Sequence, residues 1–319
     1  MSAPAIRFYD QAETESDFLA EVRRGLARRP RAIPPKFFYD RRGSALFAAI
    51  CELPEYYLTR TEMRILRDCA GEIARRAAKN AVLVELGSGA SEKVRLLLDA
   101  LAPRAYLAID ISRDYLREAT ERLARDYPRL AVHAACADFT RPLTLSYPPS
   151  SAERLVFFPG SSIGNFDRDE SETLLRRLRP FVGRDGGFVI GVDLKKDRAL
   201  LRAAYNDAQG VTARFNLNLL ARMRRELGAD LDMSGFEHEA VYDETAGRID
   251  MYLVSRRAQT ISLKGERYEF SAGERLHTES SYKYTVEEFQ ALAARAGYVP
   301  EAVWTDPARL FSVHFLRAQ

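Results

Sequence analysis

The sequence has few of the residues that build disulfide or zinc sites. Its 319 residues include three cysteines, Cys51, Cys69 and Cys136, which are far apart and form no C-x-x-C pair. Such isolated cysteines are expected to be buried thiols in a reducing compartment. The four histidines are equally scattered, without the close spacing typical of a zinc site, so we expect no metal.

Long apolar runs are also missing. No window approaches the ~18 uninterrupted apolar residues that indicate a membrane-spanning helix. The N-terminal residues lack the basic and apolar regions of a secretory signal. We therefore expect a cytoplasmic protein that has no membrane partner.

Neither sign of charge dominates. Lysine and arginine total 48 against 45 aspartates and glutamates, which gives a net charge of +3, and 7 of the 48 bases are lysine. The bases are mixed with acids along the whole chain, whereas a nucleic-acid binder concentrates them in a stripe or tail. We expect no nucleic-acid partner. An apolar fraction of 46% is enough to bury a core and excludes a disordered chain.

Short strands rich in β-branched residues alternate with helices over residues 81–194. The predicted strands are 81–86, 105–110, 130–136, 154–160 and 186–194. Strands separated by helices of about 10–15 residues predict a doubly wound parallel sheet of the Rossmann-like α/β class.

This alternation stops after Leu194. Residues 197–228 read as one or two helices, and β-like runs follow at 236–243, 248–257, 260–270 and 274–283, with glycines at 247, 265 and 273 marking turns. A helix at 285–297 and two closing strands then resume the first pattern. The chain is therefore predicted to leave the sheet, build an inserted lobe and return.

The first predicted strand ends in Glu85-Leu86-Gly87-Ser88-Gly89. Glycines at a strand-to-helix turn let a ligand approach the backbone closely. Glu92 stands where the dinucleotide fingerprint has its third glycine, which disfavours a nicotinamide dehydrogenase. The form E-x-G-x-G is instead typical of S-adenosylmethionine sites.

Acids follow the next two strands. Asp110 closes the second strand, where it could hold both ribose hydroxyls, and Asp138-Phe139 follows the third, beside the expected adenine. Either acid alone would be interpreted as a loop residue or a helix cap, but the carboxyl ends of parallel strands share one edge of a sheet. We therefore predict that S-adenosylmethionine binds there. Lys93 could reach the cofactor carboxylate or remain a solvated surface lysine.

Several segments together resemble the histidine Nα-methyltransferase family of ergothioneine biosynthesis. They are PPKFFYD, LPEYYLTRTE, VELGSGASEK, FFPGSSIGNF, GVDLKKD, AYNDAQGVTARFN, RIDMYL, the E-S-S-Y-K segment and WTDPARLFSVHFL. The resemblance runs from about residue 20 to the C-terminus. It implies a class I methyltransferase that uses three molecules of S-adenosylmethionine to convert L-histidine to its trimethylated betaine, hercynine.

The resemblance also implies a division of the chain. Residues 60–195 and 285–319 would form the S-adenosylmethionine-binding core, whereas 1–59 and 196–284 would form a substrate-recognition lobe. Small-molecule sites often lie at such domain boundaries. We expect the enzyme to be a monomer.

Individual residues match the family's functional positions. The cofactor positions are Tyr39, Gly87, Lys93, Asp110, Asp138 and Phe139; the substrate positions are Tyr56, Asn165, Tyr205, Met251, Glu279 and Ser281. The resemblance implies that Tyr39 and Asn165 are catalytic, with Tyr39 near the reacting amine. Asn165 and Tyr205 would hold the substrate carboxylate and amine, and Tyr56 would line the pocket. Glu279 and Ser281 would recognise the imidazole, beside which Met251 would pack.

Three alternatives remain open. The substrate could be tryptophan, tyrosine or a histidine derivative, although Glu279 with Met251 favours histidine. A methyltransferase of nucleic acid or protein would carry a motif like Asn/Asp-Pro-Pro-Tyr after the fourth strand, where this chain has FFPGSSIGNF. A non-catalytic module that binds S-adenosylmethionine and regulates a partner is disfavoured by the intact set of substrate positions.

Overall fold

A computed structural model of the chain describes residues 6–11, 15–143, 145–149 and 152–319. The chain divides into two compact units. The first consists of 1–12, 58–195 and 282–319, and the second of 13–57 and 196–281. The chain therefore leaves the first unit twice and returns to it for the last time at residue 282.

The described residues form strands and helices whose bounds are as follows. The strands are β1 Arg7–Asp10, β2 Arg31–Ala32, β3 Val82–Leu86, β4 Ala105–Asp110, β5 Ala131–Cys136, β6 Arg154–Phe158, β7 Gly187–Asp193, β8 Phe236–Asp243, β9 Arg248–Ser255, β10 Gln259–Leu263, β11 Glu266–Phe270, β12 Arg275–Tyr282, β13 Tyr298–Thr305 and β14 Phe311–Ala318. The α-helices are α1 Glu15–Ala27, α2 Arg41–Cys51, α3 Tyr57–Arg76, α4 Val94–Leu101, α5 Arg113–Asp126, α6 Arg168–Val182, α7 Arg198–Tyr205, α8 Val211–Leu227 and α9 Val286–Arg295. Short 3₁₀ helices cover Pro35–Phe38, Ser162–Asn165 and Met233–Gly235.

An eight-stranded sheet forms the centre of the first unit. Its order is β1-β5-β4-β3-β6-β7-β14-β13, and β14 runs antiparallel to both of its neighbours. Every residue of β3, β6 and β7 is buried, as expected of parallel strands that are covered on both faces. The predicted doubly wound sheet is confirmed.

The strand order places a crevice between β3 and β6. From β3 the chain continues outward through β4 and β5, and β6 then pairs on the opposite side of β3. In wound α/β sheets, ligands bind where the strand order reverses in this way, at the carboxyl ends of the strands. The residues that follow β3 and β6 are therefore the first candidates for a site.

The N-terminus differs from the predicted division, which placed 1–59 in the second lobe. Residues 7–10 instead form β1, which pairs in parallel with β5 at the edge of the large sheet. Tyr9 stacks on His133 with ring centroids 6.0 Å apart, and the Arg117 guanidinium lies 4.3 Å from the centre of the Phe8 ring. These contacts hold a four-residue strand whose local sequence predicts no such pairing.

The second unit has a four-stranded sheet and a separate hairpin. The sheet order is β2-β12-β9-β8, with β8 and β9 antiparallel. The β-like run predicted at 260–270, with a turn at Gly265, forms the β10–β11 hairpin, in which Lys264 and Gly265 adopt positive φ. The region predicted as one or two helices forms two, α7 and α8.

The described residues contain neither a membrane-spanning helix nor a cluster of metal ligands. No helix within them is long and apolar enough to cross a membrane. The same residues contain no group of three or more histidine, cysteine, aspartate or glutamate side chains that could hold a metal ion.

Candidate active site

The glycine turn after β3 has the conformation that the motif predicts. Gly87 and Gly89 adopt φ values of +66° and +50°, where a side chain would be strained. A Cβ on Gly87 would lie 3.9 Å from Phe139, so this ring borders the turn. No side chain of Gly87 or Gly89 covers the backbone of this turn, and the Phe139 ring lies directly beside it.

Asp110 is joined directly to the glycine turn. Its carboxylate accepts hydrogen bonds from the amides of Gly89 and Ser112, both at 2.9 Å. Burial raises the pKa of Asp110, and these amides oppose that shift. Two features predicted from separate strands thus lie together at one edge of the sheet.

Asp138 and Phe139 follow β5 as expected. Asp138 accepts from the amide of Thr140 at 2.9 Å and from its hydroxyl at 2.5 Å, which fixes the turn. The Phe139 ring meets Phe158 edge to face, with centroids 5.2 Å apart. This contact orients a flat apolar surface beside the glycine turn, as adenine binding would require.

Lys93 lies at the start of α4 and is paired with a residue that sequence analysis missed. Its ammonium is 2.6 Å from Glu62 Oε2, and the Glu62 side chain is completely buried. Both Glu62 oxygens also accept the Gly160 amide, at 3.0 and 2.9 Å. Lys93 follows β3 and Gly160 follows β6, so the cluster flanks the crevice.

A second glycine makes room for Glu62. A Cβ on Gly191 would lie 2.1 Å from Glu62 Oε1, closer than any real contact. Two features of the sequence concern Glu62: its place in LPEYYLTRTE and the glycine in strand β7. Neither feature identifies Lys93 as the partner of Glu62. The pairing requires the tertiary structure.

Another buried carboxylate lies beneath the same turn. The Tyr106 hydroxyl donates to Glu85 Oε2 at 2.5 Å and lies 3.2 Å from Ser91 Oγ. Burial raises the pKa of Glu85 to about 8, although the bond from Tyr106 opposes the shift. The glutamate of the E-x-G-x-G motif therefore holds its proton more strongly than a free carboxyl group does, and it is bound within the protein.

Asn165 ends the 3₁₀ helix that follows β6, and its position depends on Gly164. A Cβ on Gly164 would lie 2.7 Å from the Tyr282 carbonyl oxygen, so only glycine allows this approach. The preceding Ser161 accepts the Asp193 amide at 2.9 Å. Asn165 is partly buried, and its side-chain amide makes no hydrogen bond to the described residues, which leaves it available to a ligand.

An ion pair anchors the same segment. Lys283 Nζ lies 2.8 Å from Asp193 Oδ2, and both side chains are fully buried. Asp193 ends β7, whereas Lys283 directly follows Tyr282. Breaking a buried pair leaves an uncompensated charge, so this contact holds the backbone against which Gly164 packs.

In the second unit, a line of aromatic rings connects three of the predicted residues. Tyr39 lies between the 3₁₀ helix Pro35–Phe38 and α2, and its ring centroid is 5.7 Å from that of Phe47. Phe47 in turn lies 6.2 Å from Tyr56, which is 6.4 Å from Tyr205. The predicted tyrosines therefore share one apolar surface.

Tyr205 and Ser281 are hydrogen-bonded to each other. The Tyr205 hydroxyl donates to Ser281 Oγ at 2.8 Å, and both side chains are buried. Burial raises the pKa of Tyr56 well above its usual range, and the negative charge of Glu279 adds to this effect. Tyr56, Tyr205, Glu279 and Ser281 thus belong to one buried environment.

Glu279 and Met251 lie on neighbouring strands. Glu279 is 7% exposed on β12, and Met251 is 2% exposed on β9. The Thr278 hydroxyl donates to the Met251 carbonyl at 3.1 Å and joins the two strands. A carboxylate this deeply buried requires a specific polar partner.

The sequence-predicted residues fall into two sets of six. Gly87, Lys93, Asp110, Asp138, Phe139 and Asn165 lie in the first unit; Tyr39, Tyr56, Tyr205, Met251, Glu279 and Ser281 lie in the second. Tyr39, expected near the cofactor, is thus in a different unit from the other cofactor positions.

The chain is similar to known methyltransferases. A family model described as histidine-specific methyltransferase, SAM-dependent, matches residues 18–318. The histidine N-alpha-methyltransferase of Mycolicibacterium smegmatis is 42% identical over 92% of this chain and 92% of its own. Ergothioneine biosynthesis protein 1 of Neurospora crassa is 34% identical over 86% of this chain but 32% of its own length.

Solved structures with a similar fold include the CcbJ methyltransferase from Streptomyces caelestis. It is 18% identical, with a TM-score of 0.47, and the match covers 79% of this chain and 89% of that chain. The family match over 18–318 extends across both compact units.

Proposed function

Because this chain belongs to the family of histidine-specific methyltransferases that use S-adenosylmethionine, we propose that it trimethylates the α-amine of L-histidine. The product is hercynine, and the reaction is the first step of ergothioneine biosynthesis. The observation that carries this proposal is the 42% identity to a histidine N-alpha-methyltransferase over 92% of both chains. A match of that extent spans the segments that carry the predicted substrate positions as well as those that carry the predicted cofactor positions.

S-adenosylmethionine supplies an electrophilic methyl group whose carbon–sulfur bond breaks as the amine nitrogen bonds to the carbon, the electron pair leaving on a neutral thioether. The protein therefore has no leaving group to protonate. Its task is to hold a neutral amine in line with the methyl carbon, at about 3–3.5 Å, and to exclude water. The amine must lose a proton before each transfer.

The first unit fits the cofactor in four respects. The positive φ of Gly87 and Gly89 leaves the backbone uncovered, and Asp110 lies at the end of the adjacent strand, where its carboxylate can meet the ribose hydroxyls. Phe139 offers its ring to the adenine. Lys93, fixed by Glu62, would face the cofactor carboxylate. Together these residues would bind each end of the cofactor.

The polar side chains at the predicted substrate positions suit an amino acid. Asn165 offers a donor and an acceptor for the substrate zwitterion, and the Tyr205–Ser281 pair fixes a hydroxyl at a defined position. Glu279, in the same environment, would accept an imidazole N–H. Sites built on buried polar pairs discriminate strongly against ligands that lack the matching group.

The tyrosines would stabilise the substrate amine as it gains methyl groups. Aromatic faces stabilise a methylammonium through cation–π attraction and exclude water at the same time. Tyr39 and Tyr56 share one aromatic surface with Tyr205. We propose that Tyr39 and Asn165 act directly at the reacting amine. We also propose that the enzyme is a cytoplasmic monomer that acts without nucleic acid.

The proposal is tested by offering purified protein each of the twenty amino acids with S-adenosylmethionine and following the products by mass spectrometry. Histidine alone is expected to gain methyl groups. Methylation of tryptophan or tyrosine in place of histidine would contradict the substrate assignment. Binding of S-adenosylmethionine without turnover of any amino acid would favour a regulatory module.

A further inference from the structure

The main-chain carbonyl of Tyr205 is held by a histidine on β8. His238 Nε2 lies 2.9 Å from this oxygen, while the Tyr205 hydroxyl donates to Ser281 at 2.8 Å. Tyr205 is the last residue of α7, so its carbonyl has no partner within the helix. Both ends of this tyrosine are thus fixed by side chains of the second unit.

The tautomer of His238 follows from Asn216 on α8. Asn216 Nδ2 lies 3.0 Å from the Tyr252 carbonyl oxygen and 2.9 Å from His238 Nδ1. A carbonyl oxygen can only accept, so the nitrogen of the Asn216 amide must face it. The same nitrogen then donates to His238 Nδ1, which leaves the imidazole proton on Nε2, facing the Tyr205 carbonyl.

Burial of Asn216 restricts its hydrogen bonds to partners within the protein. Asn216 is completely buried, and its Oδ1 has no hydrogen-bond partner among the described residues. Burial lowers the pKa of His238, although the Tyr205 carbonyl, Asp207 and Glu239 oppose the shift. The imidazole is therefore neutral at pH 7, as the single Nε2 proton requires.

The two residues after Tyr205 support the same geometry. Asn206 Nδ2 donates to the Ala240 carbonyl of β8 at 3.1 Å. Asp207 accepts the amides of Val211 and Thr212, both at 2.8 Å, and so caps α8. Tyr205 and Asn206 are thus both hydrogen-bonded to residues of β8. The segment AYNDAQGVTARFN contains all of the groups that α7 and α8 contribute.

We propose that His238 is a positioning residue of the amino-acid site: by donating to the Tyr205 carbonyl, it holds the Tyr205 hydroxyl at Ser281. His238 acts through Tyr205 and not on the substrate. The inference rests on the proposed function, because that function places Tyr205 and Ser281 in the histidine site.

Two substitutions at His238 separate this role from a merely structural one. His238→Leu removes the donor at similar size, whereas His238→Gln keeps an N–H near the position of Nε2 and cannot become charged. Steady-state KM and kcat would be measured for histidine and for S-adenosylmethionine, together with the thermal midpoint of each variant. Asn216→Asp is a third variant of nearly identical shape, which places an acceptor against the Tyr252 carbonyl and disturbs the same hydrogen bonds.

We expect His238→Leu to raise the KM for histidine about tenfold, since the Tyr205 carbonyl would lose its hydrogen-bond donor. The KM for S-adenosylmethionine should change less than about twofold, because the cofactor residues in the first unit do not depend on this contact. His238→Gln should restore most of the affinity for histidine. Asn216→Asp should resemble His238→Leu, and it provides the same test if the leucine variant does not fold.

An unchanged KM for histidine in His238→Leu would overturn the inference. Equal increases in the leucine and glutamine variants, or an equal increase in the KM for both substrates, would also overturn it. These outcomes differ from failure of the proposed function, in which the unsubstituted enzyme would not methylate histidine at all.

Discussion

The Lys93 ammonium lies 2.6 Å from the carboxylate of Glu62, whose side chain is completely buried. The same carboxylate accepts the Gly160 amide through both of its oxygens. The pair connects α3 to the start of α4 and to the segment that follows β6. A helix outside the sheet thereby fixes the two residues that flank the crevice between β3 and β6.

This pairing predicts strong coupling between the two residues. Lys93→Met should lower the free energy of unfolding by about 3 kcal/mol or more, because it leaves the buried Glu62 charge uncompensated. Adding Glu62→Gln to that variant should recover part of the loss. Urea denaturation of both single variants and the double variant measures the coupling energy. Additive losses would show that the pair is not coupled.

Gly191→Ala should disturb the contacts of Glu62 with Lys93 and Gly160 without removing either charge. The new methyl group would lie 2.1 Å from Glu62 Oε1 and would force Glu62 to move. We expect a loss of roughly 1–3 kcal/mol in stability together with weaker binding of S-adenosylmethionine in calorimetry.

Gly71→Ala is the matched control for that substitution. Gly71 lies within α3, where a Cβ would meet only the end of the Arg75 side chain at 3.8 Å. Alanine is favoured over glycine in a helix by up to ~1 kcal/mol, so this variant should be as stable as the parent or more so. Similar losses in both variants would contradict the special role of Gly191.

Glu279→Ala should separate substrate binding from cofactor binding. The buried carboxylate is proposed to accept the imidazole N–H, so its removal should raise the KM for histidine about tenfold or more. The KM for S-adenosylmethionine should change little. Glu269→Ala, on the exposed face of β11, is the control and should affect neither. Equal losses for both substrates would make Glu279 a structural residue.

The buried imidazole of His314 should make the free energy of unfolding depend on pH. Burial lowers its pKa to about 3 from 6.5 in the unfolded chain. Between these values the unfolded chain binds the proton and the folded protein does not, so stability decreases as pH falls through this range. The decrease approaches about 1.4 kcal/mol for each pH unit.

The control for this effect is His314→Gln, which can keep the hydrogen bond to Ser312 but cannot titrate. Urea denaturation of both proteins at pH 7 and pH 5 measures the difference. The variant should lose less stability on acidification than the parent. Parallel losses would show that His314 is not the group responsible.

The cofactor turn was predictable from sequence because its signals are local. Gly87 and Gly89 stand directly after a buried strand, and Asp110 closes the next one. Their meeting at one edge follows from parallel strand order alone. The hydrogen bond from Gly89 to Asp110 is the physical result of that pattern.

The contacts that join distant segments were not predictable from local patterns. Glu62 lies on an amphipathic helix whose polar residues are expected at the surface, yet it is completely buried beside Lys93. The Tyr205–Ser281 hydrogen bond joins residues 76 positions apart. Strand β1 was also missed, because edge pairing depends on a partner strand far along the chain.

The central claim is that all three methyl groups are transferred to the α-nitrogen of histidine. It is tested most directly by incubating the protein with L-histidine and S-adenosylmethionine labelled with ¹³C in the methyl group, and locating the label by NMR. We expect a product with three equivalent methyl groups on the α-nitrogen and an unmodified imidazole. Label on a ring nitrogen, or unlabelled histidine after complete incubation with folded protein, would contradict it.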